Sequence, residues 1–254
     1  NENFKSYNLM HFKKVFFICG LLLAMTLSAC QKDFEFATSD LQRLGTSARD
    51  LLSDEKYTSL KVEIGYMPGY VPDIQSVQLL QTFLNTYLNK PAGIQIIKTP
   101  IKASGKSKLA ISDLVLLEKQ NRSVFTQGNT ITVYIMLSDA PFEEANVLAT
   151  SYWNTSFALF GPTMFESAVG TGQVSRPKLL AVLLQHEFGH LLGLVGQGTP
   201  MQQEHQDVDN GAHCSNRACL MYYGIETAEN LGGNNAMPMI DAQCIADLKA
   251  NGGK

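Results

Sequence analysis

Nothing in this chain of 254 residues gathers lysine and arginine into a basic stripe; 20 basic side chains stand against 23 acidic ones. A protein that neutralises phosphates needs such a stripe, so no nucleic-acid partner is expected. No internal repeat is visible, which sets aside solenoids and propellers. Cysteine and histidine are scarce, with 5 of each, and an odd number of cysteines suits a disulfide framework poorly. The places where they cluster therefore carry information.

Long apolar runs are scarce as well. The one that stands out, Val15 to Leu27, follows Met10, His11, Phe12, Lys13 and Lys14 and is too short to cross a bilayer comfortably. A basic start, a short apolar core and small residues before a cysteine make a bacterial export signal, over residues 10–29, which is excluded from the fold. Leu27, Ser28, Ala29 and Cys30 match a lipobox, so Cys30 is expected to be the acylated first residue of the mature chain. The alternative is an ordinary signal peptide with an incidental cysteine. Each buried methylene of such an anchor contributes about 0.8 kcal/mol, so two or three acyl chains hold firmly. Gln31 to Glu35 resembles the surface-export tag of Bacteroidetes lipoproteins, with a plain charged tether as the other reading. The expectation is an exported monomer, lipid-anchored to the cell envelope at the outer membrane, its displayed face left open.

Residues 30–56 read as a lipidated tether with one short helix, and residues 57–254 as one domain, long enough for a well-covered core. Ser59 to Tyr66 alternates apolar and polar residues and predicts a strand with one buried face. Apolar residues at three-and-four spacing predict a helix over 73–88, ended by Pro91 and Gly93. A strand over 94–101, a helix over 113–120 capped by Ser112, a strand over 130–137 and one long strand within 147–160 follow. Ser175 and Pro177 open a helix over 176–194 that Gly193 and Gly196 close, apolar nearly all round at Leu179 to Leu184. The remainder is glycine-rich and irregular, with a final helix over 241–250. This order predicts an α/β domain with a mixed twisted sheet and a loop-rich C-terminal part.

Residues 185–194 read QHEFGHLLGL. On a helix, His186 and His190 project from one side a turn apart and can hold a single zinc ion through imidazole nitrogens. Glu187, beside the first histidine, can act as general base without ligating the metal. Chance occurrence on an amphipathic helix is the alternative, weakened by the helix signals, the scarcity of histidine and the stop at Gly193. That glycine also allows the sharp turn a chain needs to bring back a third ligand.

Metzincin peptidases continue this motif as HExxHxxGxxH, but the last position here is Gly196. Further on stand His213, Cys214, Cys219 and Met221 in the spacing HCxxxxCxM, which resembles the archaemetzincins. The resemblance covers residues 186–193 and 213–244 and the order of the preceding elements. It implies a metzincin-like fold and peptide-bond hydrolysis of a peptide or protein substrate lying along an edge strand, for which 147–160 is the candidate. It implies that His213 is the third zinc ligand, displaced by an insertion from Gly196 to Ala212. Met221 would be the Met-turn residue beneath the metal, and Tyr223 stands where some metzincins place a tyrosine that swings onto the zinc or the oxyanion.

In that family two further cysteines complete a second, structural zinc site. Here the corresponding positions are Asp241 and Cys244, so Cys214, Cys219, Asp241 and Cys244 are the candidate ligands, and a disulfide among the cysteines is the alternative. His205, in the insertion, competes with His213 for the catalytic metal and otherwise reads as part of a solvated loop or lid. Two other functions stay open: a catalytically silent zinc-containing surface lipoprotein that binds glycan or protein, and a zinc peptidase outside the metzincins using Glu204 or Glu226 as third ligand.

Overall fold

In the computed structural model, residues 40–168, 174–226 and 237–254 are described; the export signal, Cys30 and the first part of the tether lie outside them. Short runs of β-branched and aromatic residues form five strands, β1 (Ser59–Tyr66), β2 (Gly93–Pro100), β3 (Thr130–Ser138), β4 (Ala149–Trp153) and β5 (Ser156–Phe160). They make one mixed sheet in the order β2-β1-β3-β5-β4, in which β1, β2, β3 and β5 run parallel and β4 is antiparallel at the edge. Parallel neighbours cannot be joined by tight turns, so helix α2 (Ile74–Tyr87) links β1 to β2 and helix α3 (Ile111–Asn121) links β2 to β3. Short helix α1 (Ala48–Leu52) precedes the sheet, and α4 (Gly161–Ser167), α5 (Arg176–Leu191) and α6 (Ala242–Ala250) follow it.

Side-chain alternation along the strands builds a core on each face of the sheet. The larger joins Leu60, Val62 and Ile64 of β1, Val133 and Ile135 of β3, and Phe157 and Leu159 of β5 to Leu80 and Leu84 of α2 and Leu183 and Leu184 of α5. The smaller joins Tyr134, Met136, Ala158 and Phe160 to Leu114 of α3. Every residue of α5 from Leu179 to Leu191 is buried, as its all-round apolar pattern predicts.

Several expectations change. β1 lies inside the sheet and is covered on both faces; its buried Glu63 accepts hydrogen bonds from the Ser123 and Val124 backbone and the Ser123 hydroxyl at 2.8, 3.0 and 2.7 Å. The expected long strand over 147–160 is a hairpin, turning at Asn154 and Thr155, so Trp153 sits on a different strand from Phe157 and Leu159. Ser112 lies within α3, not at its cap; Ala110 occupies that position and its N–H donates to Asp113 Oδ2 at 3.1 Å. Helix α4, opened by Pro162, was missed because it is too short to show a period.

Residues 40–56, read as tether, are packed into the domain. Leu51 and Leu52 are fully buried. The Lys90 ammonium donates to the carbonyls of Asp50 (2.8 Å), Ser53 and Tyr57 (2.7 Å) around the end of α1, and burial lowers its pKa to about 8. Asp40 is buried beside Arg122 (3.6 Å), which also binds Glu118 at 2.8 Å and Thr132 Oγ1 at 2.7 Å. Arg122→Ala should cost about 3–5 kcal/mol by leaving the Glu118 and Asp40 charges buried and unpaired. Urea unfolding measures this, and the double change Arg122→Met with Glu118→Leu should recover the part due to Glu118.

Candidate metal centres

Helix α5 brings His186 and His190 to one side, and their Nε2 atoms stand 3.2 Å apart. Gly193, at φ +72°, turns the chain out of the helix, and a Cβ there would meet Thr199 N at 2.7 Å. The helix ends at Leu191, three residues before the expected 194, because this turn is already under way. The chain then passes through residues 196–212 and returns His213, whose ring lies parallel to that of His186 at 5.4 Å and nearly perpendicular to that of His190 at 5.1 Å.

Two of the rings have a fixed tautomer. His186 Nδ1 lies 2.7 Å from Leu220 O, and His213 Nδ1 lies 2.7 Å from Asn210 O. A carbonyl only accepts, so both Nδ1 atoms carry the proton and both Nε2 atoms present a lone pair. Glu226 Oε1 faces the same point at 3.6, 3.6 and 3.1 Å from Nε2 of His186, His190 and His213. His213 Nε2 is buried there without a hydrogen bond. Acceptors converging on acceptors repel unless a cation lies between them, and nitrogens sharing one tetrahedral zinc stand about 3.3 Å apart. The donor set therefore fits a zinc ion.

The electrostatics follow from this crowding. Burial acts to raise the Glu226 pKa, but the three histidines outweigh it and hold the carboxyl far below its usual range. His190 is pushed down to about 4, chiefly by burial. For His213 burial acts downward, yet the Glu226 carboxylate and the Asn210 carbonyl leave it raised.

Glu187 is fully within the protein beside this cluster. Its Oε2 accepts from Ser151 Oγ of the edge strand β4 at 2.6 Å, while its Oε1 is buried without a partner. Burial first, and the Glu226 charge second, push its pKa up to about 8 against the Ser151 hydrogen bond. A cation among the histidines would pull that value down, into the range useful to a general base near neutrality.

Beneath the histidines, Met221 packs on the helix backbone at Gly189, where an added Cβ would lie 2.2 Å from its sulfur. The tight turn around it is tied by Cys214 N to Met221 O (2.7 Å) and Tyr222 N to Cys219 O (3.1 Å). Tyr223 lies in the 3-10 turn Tyr223–Ile225, its ring 4.6 Å from that of Tyr222.

Cys214, Cys219, Asp241 and Cys244 form a second cluster, their ligand atoms all within 4.8 Å of one another. The thiols are buried and free, and Cys219 Sγ and Cys244 Sγ are 3.8 Å apart, so this arrangement contains no disulfide. The Cys244 thiol hydrogen bond draws the first proton easily from Cys219, and the second is held strongly on Cys244. Soft donors that resist losing all their protons together suit a metal that compensates the negative charge.

The clusters combine predicted and unforeseen residues. His186, His190 and His213 meet as expected, and Glu226 meets them too; the two had been weighed as exclusive third ligands. Glu204 is exposed and accepts from Gln206 N at 3.2 Å. His205 is not on a solvated loop: it is buried at 3% exposure and faces the cysteines, away from the histidine cluster. Ser151 and the Leu220 and Asn210 carbonyls have no signature in sequence, because each acts through a tertiary approach.

No protein-family profile matches the chain, and no curated protein matches it in sequence. Among solved structures, an archaemetzincin from Methanopyrus kandleri superposes with a TM-score of 0.52 at 15% identity, covering 76% of this chain and 96% of that one. A structure of a chaperone-substrate complex matches more loosely, with a TM-score of 0.39 at 11% identity over 78% of this chain and 34% of that one. The fold is thus archaemetzincin-like, a mixed five-stranded α/β domain with two candidate metal sites. Gly189→Ala should cost about 1–3 kcal/mol through overpacking against Met221. It should also weaken zinc binding at the histidines; thermal unfolding with and without added zinc reads both effects.

Proposed function

We propose that this protein is a zinc-dependent peptidase, with His186, His190 and His213 holding the catalytic ion and Glu187 as general base. The observation that carries the reading is Glu187 itself. A site that only stores or displays a metal has no use for a buried carboxylate beside it, with one oxygen oriented by Ser151 and the other unpaired.

A zinc ion held there would supply Lewis acidity, polarising a peptide carbonyl and easing deprotonation of water. Glu187 Oε1 would take a proton from the attacking water and return it to the amine that leaves, while Ser151 keeps Oε2 in place. The outermost strand, β4, presents backbone groups beside α5 that can pair with an extended peptide with little demand on its sequence. Tyr223 is assigned a supporting role toward the developing oxyanion, on the strength of its position after Met221. The buried cysteine cluster would hold a structural zinc.

The same reading places the domain outside the cytoplasm, tethered through an acylated Cys30. That part is supported by the basic start, the apolar run and the LSAC sequence.

Glu226 favours a second reading. A fourth protein ligand closes a zinc site, and closed sites are structural where catalytic ones keep a position open. On that reading the protein is a zinc-containing surface lipoprotein without activity.

Cleavage of a diverse peptide library by wild type, Glu187→Gln, Glu226→Ala and the double variant, each with zinc content measured, separates the two. The peptidase predicts cleavage by wild type or by Glu226→Ala, falling about 10²–10⁴-fold in the matching Glu187→Gln background. Bound zinc with no cleavage by any variant would establish the silent protein.

A further inference from the structure

We propose that His205 is the fourth ligand of the cysteine site, making it a Cys3His zinc centre of Cys214, Cys219, Cys244 and His205 Nδ1, with Asp241 outside the coordination shell. The inference concerns this chain's own substitution at 241 and stands whether or not the domain is a peptidase.

The tautomer of His205 is set from behind. Its Nε2 lies 2.7 Å from Oδ2 of Asp247, a carboxylate with no solvent exposure whose Oδ1 accepts from Gln202 N at 2.6 Å. Both are committed to that pairing, so Nε2 carries the proton and Nδ1 presents its lone pair forward. Forward lie the thiols: Cys214 Sγ at 3.5 Å and Cys244 Sγ at 3.9 Å from Nδ1. A carboxylate behind a ligating imidazole is the arrangement that orients metal-binding histidines and raises their basicity.

The spacing agrees with tetrahedral zinc. Sulfurs about 2.3 Å from such an ion stand about 3.8 Å apart, and a sulfur and an imidazole nitrogen about 3.5 Å apart. Cys219 and Cys244 are separated by 3.8 Å and Cys214 and His205 by 3.5 Å, while Cys244 and His205, at 3.9 Å, would close by a few tenths of an ångström around the ion.

Asp241 is already employed. Its Oδ1 caps α6 by accepting from Cys244 N at 2.9 Å, and its Oδ2 accepts from Asn216 Nδ2 at 3.0 Å, with Cys214 Sγ at 3.3 Å. As an N-cap its work is to hold the first turn of the helix that delivers Cys244. With Asp241 so engaged, the donor left to complete the shell is the His205 nitrogen.

This assignment gives the insertion a purpose. Ser215 N donates to His205 O at 2.9 Å and Asp207 N to His213 O at 2.7 Å, so a metal gripping His205 also fixes the backbone that presents His213. The second zinc would thereby act as a positioning clamp on the third ligand of the first site.

The test uses the full chain purified in detergent and loaded with zinc, in a His186→Ala/His190→Ala background that removes the helix's two ligands from the other site. X-ray absorption at the zinc edge should show three sulfurs and one imidazole nitrogen with its outer-shell scattering. His205→Ala should weaken zinc at least about 100-fold, as a lost ligand must exceed the effect of a lost supporting partner. Asp241→Asn should keep one zinc per chain. A shell of three sulfurs and one oxygen, undiminished affinity in His205→Ala, or a metal-free protein with Cys219 and Cys244 oxidised to a disulfide would each overturn the proposal. The absorption spectrum of the unaltered cysteine site decides the matter even where His205→Ala fails to fold.

Discussion

Two imidazole lone pairs and a carboxylate oxygen aimed at one point are a source of repulsion, and the architecture around them holds it in place. Leu220 and Asn210 each offer a carbonyl that accepts a hydrogen bond from the Nδ1–H of a histidine, which leaves Nε2 bare and directed inward. Helix α5 supplies two of the rings from a single rigid element, buried on every side. The third arrives by a turn at Gly193 and a loop whose backbone is tied to its neighbours. A cation at the focus would convert this strain into binding energy, so metal uptake and stability of the lower half of the domain are expected to be linked.

The second cluster lies within the same stretch of chain. Cys214 adjoins His213, and Cys219 stands two residues before Met221, whose sulfur rests on Gly189 of helix α5. The two sites are therefore joined by covalent neighbours as well as by packing. Disturbance at the cysteines would be felt at His213 within one residue of chain.

Sequence reasoning reached the parts whose determinants are local. Helix period, Pro177 and Gly193 located α5, and the spacing from His186 to His190 located half of the first site. The strands β1, β2 and β3 were legible from their composition and turn residues. What escaped depended on approach between distant segments. Ser151 meets Glu187 only because a hairpin folds at Asn154 and Thr155, where the pattern had read as one strand. His205 looked solvated among polar neighbours, and its burial depends on Asp247, 42 residues away. Residues 40–56 looked like tether because polar side chains dominate there, yet Asp40 answers Arg122 and Leu51 and Leu52 fill the core.

That early start of the folded domain shortens the leash. Under the anchorage proposed at Cys30, ten residue steps separate the lipid from Asp40, and a fully stretched chain spans at most roughly 35 Å over that length. Asp40 would stay within a few nanometres of the bilayer surface, so the domain's reach would be confined to molecules that come close to the membrane.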